Sequence, residues 1–246
     1  MLNKLFNIYN KYAPGMTLVT ASDSSHARSL LNLLASARRH EPATSVVVYD
    51  LGLTSDQCAS VMGLGGKLMR FDFAAYPAFL DIRRSAGQYA WKPQILRTVA
   101  QERPGVVCWM DAGNVIEAPL LQLRRETARF GYYSASSSGT LGAWTHPGML
   151  HYLGLPTGWK ADAANLNGAC IAFDTRNPMA ADLLERWANL SLIEDCIAPR
   201  GSDRSNHRQD QALLTVLAYI AGRPAKASTK LLGYRVHQDV DELVSG

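Results

Sequence analysis

The chain has 246 residues, 47% of them apolar and 19% charged, which is long enough for a sizeable core and too apolar to remain disordered. A formal net charge of +4 is too small to demand nucleic acid, and no apolar run approaches the roughly 20 residues that cross a bilayer. The cysteines, Cys58, Cys108, Cys170 and Cys196, have no C-x-x-C spacing and read as reduced structural thiols; with no signal-peptide core, the default location is cytoplasmic.

Residues 1–15 set Leu2, Leu5, Phe6 and Tyr9 at helical spacing beside Lys4 and Lys11, which predicts an amphipathic N-terminal extension docking on the domain. Membrane-surface contact is the other use of such a helix, and nothing else in the sequence supports it. Next come an apolar run over 17–21, the polar stretch Ser22-Asp23-Ser24-Ser25, and Ala27, Leu30, Leu31, Leu34 and Ala37 at helical spacing: strand, loop, capped helix. The serine and aspartate cap the helix in any case, while the same strand-to-helix turn aims backbone N–H groups at an anion or nucleotide. Arg38, Arg39 and His40 close this helix, where cations complement its dipole. A second strand over 45–49 ends at Asp50, and Thr54-Ser55-Asp56 opens a short helix. Gly63-Leu64-Gly65-Gly66 precedes the strand expected over 67–73 instead of joining strand to helix, so it reads as a turn and not as a dinucleotide fingerprint.

A polar and aromatic connection from Ala74 leads to Tyr89-Ala90-Trp91-Lys92-Pro93, with Pro93 suited to the first turn of a helix through Ile95, Leu96 and Val99. Lys92 either packs its stem on the flanking rings or reaches a phosphate. Val106 to Met110 is apolar without alternation, as in a strand buried on both faces of a parallel sheet, and it runs into Asp111 and the turn Ala112-Gly113-Asn114. Ligands of open α/β sheets bind beyond the carboxyl ends of such strands, which makes Asp111 the expected centre of the chemistry, although a strand-end aspartate is also an ordinary turn residue. A helix with Leu120, Leu121 and Leu123, a strand over 131–134 and a serine- and glycine-rich loop over 136–146 follow. His146 and His151 lack the spaced acidic or cysteine partner of a metal site. Asn167-Gly168 reads as a polar turn before a strand over 169–173, and Asn177-Pro178 caps a helix with Leu183, Leu184 and Trp187. A flexible basic loop over 195–208, either a lid or a solvated connection, delivers His207, Arg208, Gln209, Asp210 and Gln211 onto a helix carrying Leu213, Leu214, Val216, Leu217 and Ile220. The alternation of strands and helices predicts one α/β domain over 1–246, a mostly parallel central sheet flanked by helices, with Asp23, Asp111 and Asp210 converging on one cleft.

Four short motifs in this order, the strand ending in Ala21-Ser22-Asp23, the strand ending in Asp111, Asn167-Gly168 before a strand and Asp210-Gln211 opening a helix, resemble nucleotide-diphospho-sugar glycosyltransferases of the GT-A type. The glycogenin and bacterial galactosyltransferase-like branch is the most similar, over roughly residues 16–237. The resemblance implies a Rossmann-like GT-A domain that transfers a sugar from a nucleotide-sugar donor to a glycan or other acceptor. It places Ala21, Ser22 and Asp23 on the nucleotide, Asn167 and Gly168 in the donor-sugar pocket, and Asp210 and Gln211 beside the reacting sugar. Asp50, Lys92 and Arg208 join the donor-binding set, the last two as cations near the diphosphate. Family members hold a divalent metal with an Asp-x-Asp motif; Asp111 matches its first aspartate, whereas Gly113 stands in place of the second. Asn114 and His237 are the replacements open to a Mn²⁺ or Mg²⁺ ion, although the lysine and glycine pattern around the family's C-terminal histidine is missing at His237. Two other readings remain: a nucleotide-sugar-binding protein of the same fold without turnover, which Gly113 favours, and a nucleotidyltransferase or dehydrogenase, which the lack of a glycine-rich loop after the first strand disfavours.

Overall fold

Residues that alternate between two apolar surfaces build the centre of this molecule. The computed structural model describes residues 15–222 and 232–240, so the extension expected over 1–15 lies, Gly15 apart, outside the described residues. Strands β1 (Met16–Ser22), β2 (Ser45–Asp50), β3 (Lys67–Arg70), β4 (Val106–Met110), β6 (Tyr132–Thr140) and β7 (Ala164–Asp174) form one sheet in the order β3-β2-β1-β4-β7-β6. A two-stranded ribbon pairs β5 (Val115–Ile116) with β8 (Tyr234–Arg235). In β4, Val107 and Trp109 enter one core while Val106, Cys108 and Met110 enter the other, which is why the sequence shows no polar alternation there. The same split divides Val19 from Leu18 in β1 and Phe173 from Ala172 in β7.

Helices cover both faces. On one side lie α3 (Trp91–Glu102), α7 (Pro178–Leu190) and α9 (Gln209–Ile220), through Ile95, Leu96, Leu183, Trp187, Leu213 and Leu217. On the other lie α1 (Ala27–His40) and α4 (Leu121–Phe130), through Leu33, Ala37 and Leu123. Each such fully buried leucine contributes about 1.5–3 kcal/mol over an exposed one. The short helices α2 (Ser55–Gly63), α5 (Leu141–Trp144), α6 (Pro147–Tyr152) and α8 (Glu194–Ile197) complete the described α-helices. Local signals set several of these starts: Thr54 and Gln57 form a reciprocal capping box on α2, and Asn177 accepts from the Met179 and Ala180 N–H groups ahead of α7.

The sheet is mostly parallel, with β7 the one strand reversed: β4 and β7 pair antiparallel, as do β6 and β7. Four local expectations are corrected. The third strand stops at Arg70, because Asp72 turns back to accept from the Ala74 N–H group. The segment 136–146 is not a loop: β6 continues to Thr140, whose hydroxyl then caps α5. Asn167-Gly168 is not a turn but lies inside β7, where the pairing slips from Ser134 opposite Ile171 to Ser136 opposite Leu166. This irregularity leaves extra β7 residues unpaired at the point where the strand passes the carboxyl end of β4. The loop expected from 195 begins later, after α8. All four cysteines are free, with Cys108, Cys170 and Cys196 buried, and no described helix is long and apolar enough to cross a membrane.

Candidate active site

Beyond the carboxyl ends of β1 and β4 opens a cleft of about 520 Å³, and it gathers residues that are far apart in sequence: Ala21, Ser22, Asp23, Lys92, Asp111, Asn114, Asn167, Gly168, Arg208, Asp210, Gln211 and His237 all line it. Of the residues singled out from sequence, Asp50 alone stays off the lining. Its carboxylate accepts from the Gly52 and Leu53 N–H groups at 2.7 and 2.6 Å and shapes the turn after β2. That turn still supports the site, since the Leu51 N–H donates to Ser22 O and the Ser24 N–H to Gly52 O.

Asp23 caps the single helical turn before α1 through Ser25, whose N–H and hydroxyl donate to Oδ1 at 3.0 and 2.7 Å. The neighbouring His26 ring and these bonds hold its carboxyl at about 2, against the opposing effect of partial burial. Asp23 is therefore a fixed anion at the mouth of the turn.

The centre of the site is an ion triad. Lys92, in the first turn of α3 and 4% exposed, sets Nζ 3.1 Å from Asp111 Oδ1 and 3.2 Å from Asp210 Oδ2, and donates to Gly168 O at 3.2 Å. Burial works against its charge, but the two carboxylates outweigh that and hold its pKa above the ordinary lysine value. Lys92 Nζ thus has three oxygens of the protein within 3.2 Å, and it lies 5.3 Å from the centroid of the Trp109 ring. Asp111 Oδ1 also accepts from Trp109 Nε1 at 2.5 Å. Asp210 is buried at the start of α9; burial pushes its carboxyl up, Lys92 pulls it down, and the result stays above the ordinary value. Its Oδ2 has the Lys92 charge nearby but no aligned hydrogen bond among the described residues. A buried acceptor in that state is available to a ligand.

The irregular stretch of β7 packs directly on α9. Gln211 Nε2 donates to Leu166 O at 2.6 Å, and a Cβ at Gly168 would meet Gln211 Cβ at 3.3 Å, so the glycine permits the close approach. Asn167 spends Oδ1 on the Ala169 N–H, and Ala169 O in turn accepts from the Asp111 N–H and from Asn114 Nδ2. Asn114, 1% exposed, is left with an Oδ1 that has no hydrogen-bond partner among the described residues. His237 is exposed at φ 57°, in the segment after β8, and the next residue docks that segment on the Asp111 turn, the Gln238 N–H donating to Gly113 O at 2.6 Å. Asp111, Asn114 and His237 together offer carboxylate, amide oxygen and imidazole, a donor set that suits Mn²⁺ or Mg²⁺, and the orphaned Asn114 oxygen fits that use. Among the described residues no three His, Cys, Asp or Glu side chains stand close enough to hold a cation unaided.

Two lining residues, Trp144 and Arg204, carried no signal in the sequence. Arg208 stacks on Trp144 with Cζ 4.0 Å from the ring centroid, and Arg204 lies over Tyr89 at 5.2 Å while donating to its hydroxyl. Tyr89 ends a run from Ser85 in which every residue has positive φ, tied down by Trp91 Nε1 donating to Ala86 O. A run of left-handed residues costs free energy at each non-glycine position, and here it lies at the cleft wall.

No protein-family model and no curated protein matches the chain in sequence. Solved structures do match in fold. A galactosyltransferase, LgtC, in complex with donor and acceptor sugar analogs, superposes with a TM-score of 0.55 at 17% identity, over 90% of this chain and 87% of that one. The glycosyltransferase GlyE of Streptococcus pneumoniae TIGR4 gives 0.50 at 12% identity, over 87% of this chain but 45% of that longer one. The chain has the Rossmann-like GT-A fold of nucleotide-sugar glycosyltransferases.

Proposed function

We propose that this chain is a glycosyltransferase that moves a sugar from a nucleotide-diphosphate donor to a glycan or other acceptor hydroxyl. The observation that carries the reading is the convergence of Asp23, Lys92, Asp111, Gly168 and Asp210 on one cleft at the carboxyl edge of the sheet. In this reading Ala21, Ser22 and Asp23 take the nucleoside, Asn167 and Gly168 bound the donor sugar, and Asp210 and Gln211 face its reacting carbon. Transfer breaks the bond from that carbon to the diphosphate oxygen, which leaves with the electron pair, while an acceptor oxygen bonds to the carbon and gives up its proton to the departing diphosphate. Positive charge grows on the sugar ring, and the buried Asp210 carboxylate, held by Lys92, stabilises it. Arg208 at the rim faces the negative charge that grows on the leaving group. Mn²⁺ or Mg²⁺ at Asp111, Asn114 and His237 would add neutralisation of the diphosphate.

Calorimetry and thermal shift over a panel of nucleotide sugars, with and without Mn²⁺, test this, because a bound donor raises Tm by mass action. One donor class is expected to bind in a metal-dependent way and to be turned over slowly by water. Asp111→Asn is expected to abolish the metal-dependent part and keep the fold, since Lys92 retains Asp210 as its counter-charge. Tight binding without any turnover would favour the second reading, a nucleotide-sugar-binding protein, which Gly113 and the lack of a preassembled metal cluster among the described residues make the main rival. No binding of any nucleotide sugar sinks both.

A further inference from the structure

The cleft wall that runs from Tyr89 to Trp144 carries two cations without a counter-charge. Arg204 and Arg208 both line the cleft, and neither meets a carboxylate among the described residues, whereas Lys92 is matched by Asp111 and Asp210. Each guanidinium lies on a ring instead, Arg204 on Tyr89 and Arg208 on Trp144. That seat uses the flat face of the guanidinium and leaves its in-plane N–H groups for another partner. Arg204 spends one of them on the Tyr89 hydroxyl, and Arg208 spends none on the described residues. Both halves of the Arg204 contact are fixed by their own turns. Asp203 accepts from the Ser205 N–H and hydroxyl, its N–H donates to Asn206 Oδ1, and its carbonyl accepts from the N–H of the buried His207 at 2.8 Å. Tyr89 ends the left-handed run from Ser85, strain of the kind that collects at ligand contacts. The pair also stands next to the chemistry: Lys92 Nζ is 6.0 Å from the Tyr89 ring centroid and 3.2 Å from Asp210 Oδ2.

We infer that the acceptor is an acidic saccharide, and that Arg204, seated on Tyr89, holds its carboxylate or phosphate. The inference rests on the proposed transferase reading, in which Arg208 faces the leaving group and Arg204 is the next cation along the same wall. Charge gives the reason. Lys92, Asp111 and Asp210 together sum to one negative charge, which repels an anion approaching the reacting carbon. An acidic acceptor can come in only past a cation at the entrance, and Arg204 is exposed there. Its planar fork matches a carboxylate or phosphate with two parallel N–H bonds, which a neutral hydroxyl cannot use. A lysine would supply the charge without the fork or the flat seat on the ring.

The test is binding of the whole chain to an array of oligosaccharides in matched sets, each backbone present in neutral, uronic-acid and phosphorylated form. The native protein is expected to prefer an acidic member over its neutral counterpart by about tenfold or more, with the preference shrinking as salt rises; the uronic-acid and phosphate arms tell which acid it takes. Arg204→Gln is expected to erase the preference while leaving Tm and the binding of UDP and GDP unchanged, and Arg204→Lys to restore only part of it. Native protein that binds no array member, or binds neutral and acidic members alike, overturns the inference. So does Arg204→Gln that keeps the preference, or that weakens UDP or GDP, which would assign Arg204 to the donor diphosphate. Because the array is read without donor, a chain that selects acidic glycans through Arg204 yet binds no nucleotide sugar sinks the transferase reading alone. Sugar transfer to a neutral acceptor that is indifferent to Arg204→Gln sinks this inference alone.

Discussion

Lys92 decides how much charge the cleft presents, since it neutralises one strand-end carboxylate and one helix-start carboxylate at once. In the proposed role Asp210 must be ionised to stabilise a positive sugar ring, and burial raises its pKa, so activity is expected to fall as pH drops through a value above that of an exposed aspartate. Removing the cation lets that pKa climb further. Lys92→Met should therefore shift the acid limb of the kcat profile to higher pH, and it should cost about 3–5 kcal/mol of stability at neutral pH, where Asp210 is left buried without a counter-charge. Urea unfolding and a pH–rate profile read the two effects separately; an unmoved acid limb would show that the limiting carboxylate is another one. At this scale Asp23, Asp111 and Asp210 were legible in the sequence because each follows a strand or opens a helix, where side chains project beyond the sheet edge. What Lys92 does was not, because its partners come from the turn after β4, from β7 and from α9, and no local pattern encodes a contact across such separations. Asp239 joins the cleft lining only once β8 has paired with β5, its carboxylate lying where a Cβ on Gly113 would sit.

The segment between α8 and α9 shows what an element of low regularity needs in order to hold a site. Its anchor is His207, fully buried, with Nδ1 accepting from the His146 N–H at 3.1 Å and Nε2 donating to Ile197 O at 2.9 Å. Both bonds require the neutral ring with its proton on Nε2; a second proton would collide with the His146 N–H. Burial accordingly pushes the His207 pKa down to about 4, while the unfolded value is near 6.5. Between those values the unfolded chain takes up a proton that the folded chain refuses, so stability is full above about pH 6.5 and falls as pH drops toward 4. The loss is on the order of 3 kcal/mol. A Tm series across that window should show the slope, and His207→Gln should flatten it while lowering Tm at pH 7. If the slope survives the substitution, other groups produce it. The sequence marked this stretch as a basic polar loop, and its exposed arginines gave that impression; the single buried histidine that fixes it is indistinguishable in sequence from a surface one.

The six-stranded sheet is shared by two apolar cores, and β1, β4 and β7 contribute side chains to both. Neither core can melt without exposing the other, so we expect 1–246 to behave as one domain, with a single calorimetric transition whose van't Hoff and calorimetric enthalpies agree, a ratio of about 1. Two resolved transitions would contradict this. The mostly parallel sheet was readable from apolar strands alternating with helical patterns, but the reversal of β7 was not, because a strand buried on both faces has the same composition in either direction. The bulged stretch of β7 was hidden for a related reason: Asn167-Gly168 is typical turn chemistry, and only pairing on both sides of it by β4 and β6 keeps it extended.

The docking of the Gln238 segment on the Gly113 turn also has a history in time. These positions are roughly 125 residues apart, and a ribosome adding about 5–20 residues per second needs roughly 6 to 25 s to travel between them. Through that interval β1 to β4 have been synthesised, while β5 waits without its mate β8. A nascent chain therefore carries the Ala21–Asp23 side of the cleft before the segment that docks at Gly113, and the lining is complete only when synthesis is nearly over.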